Sequence, residues 1–247
     1  MTTLLVEAGC AARRLARRRA ARGAALVGAG LFTYAALVRP VGTARDAVSA
    51  ATAIATFTLL VAAAGVIGDD RERGRLAIVA THPVPVRTWV VGRWLALCGV
   101  AVAVLVPAAA ALLAVAGAWH PAGAVALALA ASLAHLAAFA ALAVALSCRV
   151  GATVQVLTLL AILIAGAVPP DVAAQAVPAA WAGAAARALW AALPTSWALG
   201  RLHAWSLSAG AGAPWLALAL ALQSAVWLAA GERGLGRGDL APREGGG

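Results

Sequence analysis

The side chains with chemistry to offer are concentrated in one stretch, residues 68–93, GDDRERGRLAIVATHPVPVRTWVVGR. Asp69, Asp70 and Glu72 stand there among Arg71, Arg73, Arg75, Arg87 and Arg93. Carboxylates beside guanidiniums suit helix capping and charge-assisted pairing with a partner. Bond-making chemistry finds less to work with. An intramembrane enzyme needs clustered carboxylates, paired histidines or a Ser/His set at one depth, and the apolar runs on either side hold no carboxylate. Cys10, Cys98 and Cys148 make no CxxC or Cys/His spacing, so no metal set is expected. There is no GxxxxGK[ST] loop to cradle ATP phosphates. His135 falls near the centre of an apolar run, and an ionisable group placed so is a functional candidate by default. A neutral His bonded to a neighbouring helix is the plainer alternative.

The elements that must position these residues are apolar helices. Of 247 residues, 64% are hydrophobic and 11% charged, with a mean hydropathy of +0.92. Soluble domains carry about 25% charged residues. The basic residues are 19 Arg and no Lys, and they give a net charge of +10. They sit at the ends of apolar runs, which is how membrane segments are anchored and unlike a nucleic-acid groove. No nucleic-acid partner is expected; membrane lipid is.

The chain therefore reads as all-α, a polytopic membrane protein with six transmembrane helices. Residues 1–22 carry Arg13, Arg14, Arg17, Arg18 and Arg22 at helical spacing, with Leu4, Leu5, Ala8, Ala12 and Leu15 opposite. That predicts a basic amphipathic interfacial helix, with a plain positive anchor and the basic leader of a signal peptide as the alternatives. Residues 23–231 form the six-helix domain, with spans near 23–38, 47–67, 89–118, 122–148, 152–168 and 214–231. Between spans two and three, 68–93 cannot cross a bilayer. Leu76, Ile78 and Val79 give it a short apolar stripe, and His82-Pro83-Val84-Pro85 stops any helix. Residues 171–213 contain Trp181, Trp190, Trp197 and Trp205 in pieces too short to span, which predicts short outer interfacial helices. The Gly/Pro-rich tail, 232–247, is expected to be disordered. Six spans place both ends on one side, and 15 of the 19 Arg then fall on it, against four opposite. The bias puts both termini in the cytoplasm, in the cell's inner (plasma) membrane.

Glu72-Arg73-Gly74-Arg75-Leu76, then Pro83 or Pro85, Arg87, and Gly92-Arg93 entering an apolar helix resemble the signature of ABC-2-type transporter permeases. The basic N-terminal helix, the six spans and the outer helices extend the resemblance over nearly the whole chain. Leu193-Pro194-Thr195-Ser196-Trp197 sits where such permeases carry a Pro-x-x-aromatic element. The resemblance implies a half-transporter without enzymatic activity of its own. It would pair with a second permease copy, identical or not, and with two copies of an ATP-binding subunit. ATP and Mg would be bound there, and no cofactor is expected in this chain. By the same resemblance, Asp70, Glu72, Arg73, Gly74, Arg75, Leu76, Pro83 and Arg87 would form the cytoplasmic coupling helix and turn that the ATPase grips.

His135, Thr52, Thr56, Gln223, Trp190 and Trp197 are the candidates for a translocation path. The hydroxyls and the amide serve equally well as glue between helices, at about 0.6 kcal/mol per hydrogen bond. Two other classes stay open. One is the haem-exporter permease of cytochrome c maturation, which outer His120 and His203 keep in view. The other is a membrane scaffold without transport.

Overall fold

The computed structural model describes residues 2–17, 19–37, 42–68, 70, 85–117, 122–175, 181–208 and 215–235. Among them there are ten helices and no strand. They are α1 (Thr2–Arg17), α2 (Arg19–Leu37), α3 (Ala44–Ala63), α4 (Val86–Ala116) and α5 (Ala122–Ser147), followed by α6 (Ala152–Ala165), α7 (Pro170–Gln175), α8 (Ala182–Ala192), α9 (Ser196–Ser208) and α10 (Trp215–Gly234).

The all-helical expectation holds for the described residues. Four helices are long and apolar enough to cross a membrane: α3, α4, α5 and α10. They correspond to the expected spans two, three, four and six. The expected first span falls within α2, which opens on Arg19 and Arg22, and the fifth within α6, 14 residues that end in a turn. At 1.5 Å per residue α6 covers about 21 Å of a hydrocarbon core about 30 Å thick. The surface agrees with a membrane protein. Leu218, Leu222 and Val226 make an exposed stripe along α10, and Leu157 and Ile164 stand out from α6. Aliphatic side chains exposed in such stripes need lipid or protein against them.

Local sequence explains the helix ends. Thr43 caps α3: its hydroxyl accepts from the Asp46 amide at 3.1 Å and donates to Asp46 Oδ2 at 2.7 Å. The first bond is an ordinary N-cap, and the second orients the hydroxyl that makes it. Within α3, Thr52, Thr56 and Thr58 each donate to the carbonyl four residues back, at 2.7, 2.8 and 2.7 Å. Those bonds satisfy the hydroxyls without water. Pro107 lies inside α4, where its missing N–H leaves the carbonyl of Ala103 without its usual partner.

The core sits where α3, α4 and α5 meet. Leu59, Leu97, Leu105, Leu112, Phe139 and Leu142 are fully buried there. α10 packs along α5, α2 along α3, and α1 along α4. The α5–α10 contact depends on small residues. A Cβ placed on Gly231 would lie 3.2 Å from the Cα of Ala145, so the two backbones meet almost without side chains between them.

The bundle has two ends, each stapled by side chains. At one, Arg149 donates to Ala230 O at 3.3 Å, and Ser147 Oγ accepts from the amides of Ile67 and Gly68 at 2.9 and 3.0 Å. At the other, α7, α8 and α9 gather as short helices between α6 and α10. The expected run of short helices in 171–213 is present over its described residues.

Candidate functional site

Two constellations emerge, one at each end. The first is built on the exit of α3 and the entry of α4. After Ala63 the chain turns through Gly65, whose φ of 63° lies in the left-handed region that glycine reaches at no steric cost. Gln155 of α6 fixes this turn. Its Oε1 accepts from the Gly65 amide at 3.0 Å, and its Nε2 donates to Ala63 O and Ala143 O at 3.0 and 2.9 Å. One buried amide thus ties three segments together, and the Ser147 hydroxyl holds the next two residues.

The turn delivers Asp70 to Arg93. Arg93 Nη2 donates to Asp70 Oδ2 at 2.7 Å, with the two side chains only 3% and 5% exposed. The guanidinium carbon also lies 5.1 Å from the centroid of the Trp89 ring, one turn earlier on α4. Glu7 and Ala8 of α1 press on Gly92, where an added Cβ would meet Glu7 Cβ at 3.2 Å. A carboxylate near the start of the charged stretch is therefore joined to the guanidinium at its end, with the N-terminal helix against the join.

Asp70 accordingly faces Arg93, and Arg87 stands exposed on the first turn of α4. Glu72, Arg73, Gly74, Arg75, Leu76 and Pro83 lie outside the described residues.

The second constellation is a buried polar seam. Ser49 Oγ lies 3.2 Å from His203 Nδ1, and Ser132 Oγ lies 2.8 Å from His203 Nε2. Thr52 Oγ1 reaches Ser132 Oγ at 2.9 Å. α3, α5 and α9 are thus linked through one imidazole. A neutral imidazole has one N–H, so whichever ring nitrogen bears it, the other can accept from a serine hydroxyl. Burial, and then the positive charge of Arg45, push His203 down to about 4 from its ordinary 6.5.

That shift has a consequence for stability. The unfolded chain takes up a proton near pH 6.5 that the folded chain refuses until about pH 4. Stability therefore falls as pH drops through that window and is insensitive to His203 above it. Thermal unfolding in detergent should show a lower midpoint at pH 5 than at pH 7.5. His203→Gln should remove part of that drop; an equal drop in the variant would place its cause elsewhere.

Beside the seam lies a cavity of about 300 Å³ between α3, α5, α6 and α9. His135 and Thr56 line it, and Thr52 sits one layer away, bonded to Ser132. The other three path candidates stand apart from this cavity. Gln223 Nε2 donates to Ala191 O and Leu193 O at 2.6 and 3.3 Å, and Trp227 Nε1 donates to Ala192 O at 3.0 Å. α10 in this way satisfies the orphan carbonyls at the end of α8. Trp190 Nε1 donates to Val168 O at 2.8 Å, just past α6. Trp197 packs on the small cluster that includes Ala131, Ala138 and Leu202.

No family model, curated protein or solved structure matches this chain.

The residues that the sequence reading left out are Ser49, Ser132, Ser147 and Gln155. Each is a polar residue in or beside an apolar run, and in lipid such groups must find partners inside the protein. That was their available signal. Serine is too common at helix ends to stand out by itself.

Proposed function

We propose that this chain is the membrane subunit of an ATP-driven exporter of the ABC-2 type. In this reading the helices α2 to α6 and α10 make six spans, α1 and 68–93 lie at the cytoplasmic surface, and α7 to α9 lie at the outer one. Two permease chains, identical or not, then frame the pathway, and two ATP-binding subunits supply the hydrolysis.

One observation carries the reading. The buried pair of Asp70 and Arg93 fastens the beginning of the charged stretch to its end, at the entry of a 31-residue helix. A surface element that must transmit force to a membrane helix needs a stiff attachment of this kind. A loop that merely connected two helices would gain nothing from desolvating two charges, which costs several kcal/mol per ion before their attraction is counted. The residues that resemble the permease signature, Glu72 to Leu76, follow directly on that attachment. α1 rests beside it through Glu7 and Ala8, as a second surface for the same partner.

The test is composition. The tagged chain, purified from its own cells in mild detergent, should bring down a subunit carrying a GxxxxGK[ST] loop. Native mass should give two permease chains to two such subunits. A chain that purifies with no P-loop protein, or with one permease per two ATPases, would overturn the proposal.

A further inference from the structure

The cavity between α3, α5, α6 and α9 changes character along its length. At one end stands Ser49, exposed, with its hydroxyl 3.2 Å from His203 Nδ1. Arg45 lies one helical turn before it on the same face of α3, also exposed, and its charge reaches His203. Arg45 is in the first turn of a candidate span, the level at which such a helix meets lipid headgroups. It makes no ion pair among the described residues. The neighbouring Asp46 is turned about 100° around the helix, and the Thr43 hydroxyl holds its carboxylate at 2.7 Å. A guanidinium is thus free at the mouth, beside an accessible hydroxyl.

Toward the other end, about 12 Å along α3 at 1.5 Å per residue, the lining is Phe57, Leu160, Leu163 and Ile164. The polar groups there are taken up or sealed: Thr56 donates to Thr52 O at 2.8 Å, and His135 is 1% exposed. Phe57 and Ile164 are 38% and 67% exposed, so the side of the space lies open to lipid. The volume, about 300 Å³, is at the lower end for small-molecule pockets, which span roughly 300–1,000 Å³. It takes one short hydrocarbon tail and has no room for a second. A ligand that suits both ends carries a negative head and a single apolar tail.

We propose that this cavity binds a fatty-acid anion of medium chain length, its carboxylate at Arg45 and Ser49 and its tail between Phe57, Leu163 and Ile164. The guanidinium supplies a charge-assisted pair, and the serine hydroxyl can donate to the carboxylate while it accepts from the imidazole. Lipid is as good a neighbour for the tail as the groove is, so the preference for this ligand rests on its head. The site needs only a chain embedded in lipid and does not depend on the transport reading.

The probe is decanoic acid with a diazirine at the methyl end of its tail. It is added to the full chain in phosphatidylcholine nanodiscs at about pH 9, where the carboxyl is ionised. After irradiation, adducts should concentrate on residues 53–57 of α3 and 160–164 of α6, well above their density on the exposed stripe of Leu218, Leu222 and Val226. At equal mole fraction in the membrane, decanoate should compete about tenfold better than decanol, the share of one charge-assisted hydrogen bond. Arg45→Gln, a change at an exposed position, should make the two competitors alike. Gly200 also lines the cavity, and a Cβ there meets nothing within 4 Å. Gly200→Leu therefore fills the space without a clash and should bring the adducts down to the α10 level. Adducts no denser than on α10, decanol matching decanoate, a preference that survives Arg45→Gln, or adducts that survive Gly200→Leu would each overturn the proposal. Displacement by phosphatidylglycerol as effective as by decanoate would overturn it too, and would assign the groove to a tail of the bilayer's own anionic lipid.

Discussion

Arg93→Ala is expected to lower the stability of the folded chain by about 3–5 kcal/mol, the loss seen when one partner of a buried ion pair is removed. Asp70 would remain desolvated, with its 2.7 Å partner gone. The carboxylate cannot relax outward, because Ser147 and Gln155 hold the turn that leads to it. The guanidinium's position over Trp89 adds roughly 0.5–2 kcal/mol more. Arg93→Lys should fall between, since an ammonium keeps the charge and loses the planar fork. The informative variant is the double one. Asp70→Leu with Arg93→Met removes both charges, and a buried pair replaced so is often neutral or even stabilising. Equilibrium unfolding in mixed micelles should therefore rank the double variant above Arg93→Ala. A double variant as damaged as the single would show that the charges themselves do more than offset each other.

Glu72→Ala is the second large effect, and it belongs to the proposed function. Asp70 pairs with Arg93; a carboxylate beside Gly68, as Asp69 is in the sequence, suits a helix cap, and in the proposed function Glu72 would then meet a basic residue of the ATP-binding subunit. Truncating one partner of a buried interfacial charge pair costs about 2–5 kcal/mol, or roughly 30- to 4,000-fold in affinity. In reconstituted vesicles the variant should insert and fold as before. Transport-coupled ATP hydrolysis should be lost, while Asp69→Ala retains most of it. Unchanged hydrolysis and an unchanged affinity for the ATPase would reduce 71–84 to a solvated connector.

What could be read from the sequence was what is encoded locally. The charged stretch and the short pieces around Trp190 and Trp197 announce themselves within a few residues. The partnerships do not. Ser49 and His203 are 154 positions apart, and Ser132 and His203 are 71 apart. In a soluble helix the apolar stripe would at least show which face turns inward. Here α4 and α5 are apolar on every side, because lipid is as good a neighbour for Leu or Val as another helix is. Val102 and Leu105 are the same kind of residue to the eye, yet one is 45% exposed and the other fully buried. Gln223 shows the same limit. Its polarity marked it for a partner inside the bundle, and only the fold reveals that the partner is the end of α8.

Pro107 divides α4 unequally, and that division has a mechanical meaning. Arg93 lies fourteen residues before it, an arm of about 21 Å at 1.5 Å per residue. Proline weakens the helix at one point by removing a backbone bond, so bending concentrates there. A swing of about 10° around that hinge carries the Arg93 end through roughly 4 Å, the width of a side chain, by simple rotation of a rod of that length. Because Asp70 is fastened to Arg93, the end of α3 is drawn along the same arc, and a small tilt at mid-helix becomes a displacement shared by two helices.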